Sequence, residues 1–157
     1  MNAPESVWDY PRPPALDHST EHVRVIHGGI VVADTRRSMR ILETAHAPAY
    51  YIPREDVRAD LLAASPTRTV CEFKGSARYV DLAVPGAPVV RDAGWWYPAP
   101  RAPYVELTDA ICFYPQRVDL CEVDGEQVIP LDSPFYGDWP TSRITGPYKG
   151  APGTEWW

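Results

Sequence analysis

Proline is the residue that most constrains how this chain can fold. The sequence holds 18 prolines and 10 glycines in 157 residues. A proline lacks the backbone N–H donor and clashes with the preceding helical turn, so long helices and central strands do not run through it. The chain is therefore predicted to form short strands joined by turns and irregular connections. Its length favours a single domain with a real core.

Charge and hydropathy argue against several classes of function. The net charge is −6 and the basic residues are scattered, so no basic stripe indicates a nucleic-acid partner. No apolar run approaches the roughly 20 residues that a membrane-spanning helix requires, and the N-terminus lacks the apolar segment of a signal peptide. We therefore expect a cytoplasmic protein without a membrane partner.

The cysteines indicate reduced thiols and no metal. The three cysteines, Cys71, Cys112 and Cys121, are widely spaced and form no Cys-x-x-Cys pair, which argues against a disulfide scaffold and a structural zinc site. Reduced thiols are typical of a cytosolic protein. Glu43 and His46 lie three positions apart but have no clear third ligand nearby. No metal and no cofactor are predicted.

Glycine-containing turns divide the chain into strands. Gly28-Gly29 separates two apolar runs and predicts a tight hairpin. Lys74-Gly75 indicates a second hairpin between residues 67–73 and 76–84. Asp124-Gly125 is a strong signal for a third.

Helical spacing is rare. Pro53 suits the first turn of a helix, and Val57, Leu61 and Leu62 then share one face, so a short helix is predicted over residues 54–62. One further helical turn is predicted at residues 104–108. About eight short strands with one or two short helices indicate a mainly β, antiparallel fold.

The chain is expected to have three parts. Residues 1–22 are predicted to form a proline-rich arm that packs on the domain through Trp8 and Tyr10. Residues 23–130 form the β domain, and residues 131–157 an irregular extension.

Several long motifs occur in the order in which a known family carries them. They are Glu5 to Pro14, Glu43 to Pro53, Cys71-Glu72-Phe73-Lys74-Gly75, Trp95-Trp96-Tyr97-Pro98, Phe113-Tyr114-Pro115 and Val123-Asp124-Gly125-Glu126. With these motifs the chain resembles the bacterial family catalogued as domain of unknown function 427, over nearly all of residues 5–130. Many members carry Trp at the position of Phe73.

The resemblance implies a β-tent-like fold, in which two small antiparallel sheets lean together around a concave face. Some β-tent relatives bind zinc through paired Cys-x-x-Cys knuckles, which are absent from this sequence, so that metal is not carried over. A nucleotidyltransferase label sometimes accompanies the family. This chain has neither a Gly-Ser followed by paired carboxylates nor a glycine-rich phosphate cradle, so the label is rejected.

Two unusual motifs hold the candidate chemistry. A lysine close to a cysteine, as in Cys71 and Lys74, can make the thiol reactive. Cysteine also packs as a small apolar residue, and lysine before glycine suits a solvated turn. Glu43 and His46 could act as acid and base, or they could cap and pin their loop. A Cys71–His46 dyad requires the fold to bring separate strands together.

The aromatic residues are more informative as a set than singly. Consecutive strand residues face opposite sides, so one of Tyr50 and Tyr51 and one of Trp95 and Trp96 should point inward. Several aromatic rings on one concave face would form an apolar pocket with a few polar groups. The alternative is an ordinary aromatic core.

The leading hypothesis is a domain that binds a small, planar or anionic ligand. The predicted ligand-binding residues are Glu43, Tyr51, Cys71, Lys74, Tyr79, Trp96 and Tyr114. A second hypothesis is a thiol-dependent enzyme that uses Cys71, with Lys74, Glu43 and His46 as further catalytic candidates. A third hypothesis is an interaction module without a small-molecule ligand. One form of it is a homodimer built on the Trp8 arm and the Trp156-Trp157 tail.

Overall fold

A computed structural model of the protein describes residues 3–151 and 153–154. Over these residues the fold is mainly β, as predicted, with thirteen short strands and four 3-10 turns. The strands are β1 (Glu5–Ser6), β2 (Ala15–His18), β3 (Val23–His27), β4 (Ile30–Thr35), β5 (Met39–Leu42), β6 (Ala49–Tyr51), β7 (Leu62–Cys71), β8 (Gly75–Leu82), β9 (Val90–Trp96), β10 (Cys112–Phe113), β11 (Leu120–Val123), β12 (Glu126–Gln127) and β13 (Ile144–Thr145). The 3-10 turns are Val7–Asp9, Arg54–Asp56, Ala59–Leu61 and Val105–Leu107. In these ranges no helix has the length and hydropathy to cross a membrane.

Two four-stranded antiparallel sheets form the body of the domain. Sheet I has the order β10-β9-β8-β7, and sheet II has the order β12-β11-β3-β4. The chain also forms an antiparallel sheet III, β2-β5-β6, and a parallel pair, β1 with β13. The strand count exceeds the predicted number because several strands are only two residues long.

The predicted hairpins are present. Gly28 and Gly29 join β3 to β4 with φ of 57° and 76°, the left-handed region that a tight turn requires. Asp124-Gly125 joins β11 to β12. The turn predicted at residues 104–108 is found as Val105–Leu107.

The continuous helix predicted over residues 54–62 is wrong. Two 3-10 turns, Arg54–Asp56 and Ala59–Leu61, stand in its place. Between them Val57 is extended, with φ −114° and ψ 141°, and forms an antiparallel bridge with Ala33 of β4. Pairing with β4 and burial of the Val57 side chain have overridden the helical spacing.

Both terminal segments contribute to the core. Trp139 is fully buried, and its Nε1 donates to the carbonyl of Phe113 at 2.9 Å. Val7 is also fully buried. Trp8 is half-exposed, although its Nε1 donates to the carbonyl of Pro147 at 2.9 Å. The Trp156-Trp157 pair, to which a dimer contact was attributed, lies outside the described residues.

An ion network centred on the buried Arg40 joins the terminal segments to sheet III. Arg40 on β5 lies 2.9 Å from a carboxylate oxygen of Glu5 and 2.8 Å from one of Asp17. Glu5 is also 2.8 Å from Arg143, which in turn lies 3.1 Å from Glu21. The network therefore fastens β1 and the C-terminal segment to the edge of the domain.

The network shifts the ionisation of Glu5. Burial alone would raise the pKa of this carboxyl. Hydrogen bonds from Arg40 and Tyr10, together with the charges of Arg40 and Arg143, outweigh burial and lower the pKa to about 2. Glu5 is thus held as a carboxylate well below its ordinary titration range.

Candidate functional site

A cavity of about 280 Å³ opens between sheet I, sheet III and the C-terminal segment 135–138. Strands β7, β8 and β9 supply one wall, and β5, β6 and the loop between them supply another. Most of the lining side chains are aromatic or apolar, and a few charged groups interrupt them. This composition is typical of small-molecule sites.

The cavity brings together most of the predicted site residues. Those that line it are Glu43, His46, Tyr51, Cys71, Lys74, Tyr79 and Tyr114. They come from three different parts of the chain, which the fold gathers around one space. Their role in binding or catalysis stays a prediction.

The structure corrects the choice between the two tryptophans. Trp95 lines the cavity, whereas Trp96 does not. Trp95 is the cross-strand partner of Tyr79, and directly paired strand residues share a face of the sheet. Trp96 instead pairs with Arg78 and lies 4.5 Å beneath the guanidinium of Arg54. Trp96 therefore belongs to the outer face of sheet I.

Lys74 reaches the cavity because its turn is clamped from outside. Cys71 and Gly75 are paired at the end of the β7–β8 hairpin, and residues 72–74 form the turn. The Arg101 backbone N–H donates to the Lys74 carbonyl at 2.9 Å, and Arg101 Nη1 donates to the Glu72 carbonyl at 2.8 Å. These contacts fold the turn against residues 99–101. Lys74 is only 8% exposed as a result.

The ammonium group of Lys74 has no polar partner within residues 3–151 and 153–154. Neither a hydrogen bond nor an ion pair to another described side chain satisfies it. Buried lysines are almost always paired, because the loss of hydration of an isolated charge is costly. An unpartnered lysine on the wall of an open cavity is therefore a functional signal.

The polar atoms of the aromatic wall residues bond to other wall residues. Trp95 Nε1 donates to the Tyr51 hydroxyl at 2.9 Å, and the hydroxyls of Thr69 and Tyr79 lie 3.0 Å apart. The Trp95 and Tyr114 rings pack with their centroids 4.7 Å apart. Because these contacts are internal, the walls offer mainly ring surface to a ligand.

Burial raises the pKa of three phenols of the cavity. It raises the pKa of Tyr51 well above its ordinary value, and burial is also the main cause of the raised pKa of Tyr97 and Tyr114. These three phenols therefore do not supply a negative charge to Lys74. A low-dielectric site of this kind strengthens any ion pair formed inside it.

His46 lies between two carboxylates at another part of the wall. Its Nδ1 is 3.5 Å from Asp138 Oδ2, and its Nε2 is 3.8 Å from Glu43 Oε2. Tyr136 packs edge-on against the imidazole, with ring centroids 5.6 Å apart. The side chains of His46, Glu43 and Asp138 are only 13–20% exposed. Such a cluster can hold and transfer a proton.

The two carboxylates differ in their other partners. Glu43 Oε2 is also 3.3 Å from Arg12 Nη2, so its charge is shared with the N-terminal segment. Asp138 Oδ2 is buried, and within the described part of the chain it accepts no hydrogen bond. The neighbouring polar atom is His46 Nδ1, at 3.5 Å.

Segment 133–138 was missed as part of the site. Gln116 Nε2 donates to the carbonyls of Ser133 and Tyr136 at 2.9 and 2.8 Å, which holds the segment over the cavity. A Cβ on Gly137 would lie 2.6 Å from Tyr114 and 2.7 Å from Trp95, so the backbone approaches those rings as only glycine allows. The sequence Tyr136-Gly137-Asp138, directly before Trp139, is the signal that could have pointed to this segment.

The cysteines differ sharply from one another. Cys71 is partly exposed on the cavity wall, whereas Cys112 and Cys121 are buried. Burial raises the pKa of both buried thiols above the ordinary value. Cys71 and His46 line the same cavity, but no hydrogen bond between described residues joins them, and the dyad stays a prediction. The described residues also contain no group of three or more His, Cys, Asp or Glu placed to hold a metal ion.

The fold and the cavity define a small, mainly β domain with a partly enclosed pocket. The family model described as domain of unknown function (DUF427) matches residues 15–124, and the chain belongs to this family. The resemblance drawn from the motifs is thereby confirmed. A comparison with curated proteins found no match. The matched range ends before residues 135–138, so part of the cavity wall comes from outside it.

Proposed function

We propose that this domain binds a small organic anion, or a carbonyl compound, with a flat apolar body. The observation that carries the proposal is Lys74, which is 8% exposed, lines the cavity and has no polar partner among the described residues. A ligand carboxylate, phosphate or carbonyl oxygen would supply the partner that the fold does not. The ion pair would form in a partly enclosed site, where it is stronger than at the open surface.

The walls support a flat ligand of limited size. A cavity of about 280 Å³ is near the lower end of small-molecule pockets, which span roughly 300–1,000 Å³. The rings of Trp95, Tyr51 and Tyr114 would contact the ligand mostly through their faces and edges. Glu43 would accept a hydrogen bond from a donor on the ligand.

We further propose a cytoplasmic location and no nucleic-acid partner. The three unpaired thiols support a reducing compartment. The net charge of −6 gives no support for phosphate-backbone binding. Homodimer formation through the Trp8 arm and the Trp156-Trp157 tail also stays a prediction, and the mass in solution before and after truncation of both ends would test it.

A thermal-shift screen against small carboxylates, phosphates and nucleotides tests the proposal. It compares wild type with Lys74→Met and with Lys149→Met, which removes the chain's other lysine. A ligand at about 100 times its Kd stabilises a fold by about 2.7 kcal/mol, enough to move Tm by several degrees. Shifts that persist in Lys149→Met and vanish in Lys74→Met are expected.

Two results would contradict the proposal. The first is a set of acids that stabilise wild type and Lys74→Met equally. The second is a well-folded wild-type protein that no acid or carbonyl compound in the screen stabilises. The second result would shift attention to the interaction-module hypothesis.

A second candidate function is a thiol-dependent enzyme. The observation that favours it is the position of Cys71, which shares the cavity wall with Lys74. Iodoacetamide labelling at pH 6–7, with peptide mass analysis, compares Cys71 with Cys112 and Cys121 in the same molecule. Rapid labelling of Cys71 alone, slowed in Lys74→Met, would support this candidate. Equal and slow labelling of all three thiols would dismiss it.

A further inference from the structure

We infer that the cavity is a proton-transfer site in which His46 is the general base and Asp138 its positioning residue. The inference rests on the proposed function, because it requires a ligand bound at Lys74. It adds a reaction and a substrate class. The substrate is a small carbonyl compound with a C–H bond next to the carbonyl, such as a 2-oxo acid.

The two contacts of His46 favour one tautomer. Asp138 Oδ2 lies 3.5 Å from Nδ1 and is a buried carboxylate oxygen without a hydrogen bond from any described residue. The contact is too long for a good hydrogen bond, but the nearby carboxylate charge favours a proton on Nδ1. Glu43 competes weakly for a proton on Nε2, because its oxygen is farther away, at 3.8 Å, and is shared with Arg12 at 3.3 Å. Nδ1 therefore carries the proton in the neutral ring, and Nε2 is left as the base.

The remaining wall supports this orientation. Tyr136 packs on the imidazole and is held in turn by Gln116, whose Nε2 donates to the Tyr136 carbonyl at 2.8 Å. Asp138 follows two residues later in the same segment, and the fully buried Trp139 anchors that segment in the core. The positioning carboxylate is thus fixed by packing, which general-base catalysis requires.

The reaction needs only groups that the cavity contains. Nε2 of His46 takes the proton from the carbon next to the carbonyl and forms an N–H bond. The C–H electron pair becomes a carbon–carbon π bond, and the carbonyl π pair moves onto oxygen. The resulting enolate oxygen is paired with the Lys74 ammonium, which stabilises charge that develops in the transition state. Return of the proton to carbon or to oxygen gives exchange or tautomerisation, and no electrons are gained or lost.

The tautomer of His46 can be measured without a substrate. Long-range ¹H–¹⁵N NMR spectra, recorded where the imidazoles are neutral, distinguish a ring protonated at Nδ1 from one protonated at Nε2. His27 is an internal reference of the opposite kind, because its Nδ1 accepts a hydrogen bond from the Asp119 N–H at 3.1 Å. We expect His46 as the Nδ1–H form in wild type, with a shift toward the Nε2–H form in Asp138→Asn. A His46 signal that matches His27 would overturn the inference.

Deuterium uptake then tests the reaction. Pyruvate, 2-oxobutyrate and phenylpyruvate are incubated with the protein in D₂O, and loss of the ¹H signal next to the carbonyl is followed. For any of these probes that binds, exchange at least tenfold above the buffer rate is expected in wild type and in His18→Gln, which alters an exposed histidine. His46→Gln should abolish the enhancement, and Asp138→Asn should reduce it while leaving probe affinity unchanged.

The outcomes separate the two proposals. If probes bind through Lys74 but exchange at the buffer rate, the proton-transfer site is overturned and the binding function stands. If exchange is enhanced but insensitive to His46→Gln, the assignment of the base is overturned. If no acid or carbonyl compound binds at all, the proposed function falls and this inference falls with it.

Discussion

Arg40 and Lys74 are two buried cations with opposite surroundings. Arg40 is 4% exposed and Lys74 is 8% exposed, so both side chains are largely buried. Arg40 lies within 3 Å of carboxylates from Glu5 and Asp17. Lys74 has no such neighbour among residues 3–151 and 153–154 and lines a cavity instead. The fold compensates the charge of Arg40 internally, and we propose that a ligand compensates the charge of Lys74.

The choice of residue fits each task. The guanidinium of Arg40 is planar and always charged, and its several donors match two carboxylates at fixed angles. Nε and Nη1 of Arg40 each donate to a different acidic side chain. The ammonium of Lys74 is a compact charge on a flexible stem, which suits a partner that arrives and leaves. Burial alone therefore does not distinguish a structural cation from a cation at a candidate site. The partners of the two cations do.

The largest expected effect comes from replacing Arg40, the cation that is paired inside the fold. Arg40→Met leaves Glu5 and Asp17 without their shared cation, and loss of one partner of a buried ion pair destabilises by about 3–5 kcal/mol. We expect a change near 3 kcal/mol, since Asp17 can regain water. Urea unfolding measures it, with Arg37→Met as the exposed-arginine control. Equal effects of the two substitutions would show that burial of Arg40 is irrelevant.

The next effect tests how the cavity is held together. Gly137→Ala places a methyl group 2.6–2.7 Å from the rings of Tyr114 and Trp95, so the segment must move away from them. Such overpacking costs about 1–3 kcal/mol. We expect this loss of stability together with weaker binding of any ligand that depends on Lys74. Phe135→Ala alters an exposed neighbour and should change stability little. Unchanged stability and binding in Gly137→Ala would separate this segment from the site.

A smaller effect comes from acid titration of the organised network. The pKa of Glu5 is lowered to about 2 from an ordinary value near 4.5. A lowered folded-state pKa contributes stability that is complete above pH 4.5 and is lost as pH falls toward 2. Solvent screening limits the contribution to about 1–2 kcal/mol. The difference in unfolding free energy between wild type and Glu5→Gln should therefore shrink over this pH range. A constant difference would refute the assigned coupling to Arg40.

The β fold could largely be predicted from local signals. Glycine turns and proline breaks act over a few residues, so the hairpins around Gly28-Gly29 and Asp124-Gly125 were visible in the sequence. The helix predicted over residues 54–62 failed because Val57 pairs with Ala33, a contact that helical spacing cannot report. Sheet III and the β1–β13 pair likewise depend on contacts between distant segments.

The site was partly predictable for the same reason. Motifs around Glu43 and Cys71 concentrate unusual residues, and the fold brings both motifs to one cavity. Alternation limits Trp95 and Trp96 to one inward ring but does not say which, and the register of Tyr79 with Trp95 decides it. The same expectation is wrong for Tyr50 and Tyr51, because both rings are buried. Asp138 could not be placed, because residues 131–139 have no periodicity and reach the cavity through contacts with Gln116 and Phe113.

The unfolding free energy of Lys74→Met without ligand tests the central claim most directly. If Lys74 is retained for a ligand, replacing its unpaired ammonium with an apolar side chain should stabilise the fold by about 1 kcal/mol while removing ligand-induced stabilisation. Lys149→Met, measured by the same urea titration, should leave both quantities near the wild-type values. A clear loss of stability in Lys74→Met, similar in sign to that of Arg40→Met, would contradict the account. It would mean that Lys74 is a structural cation with a partner inside the protein.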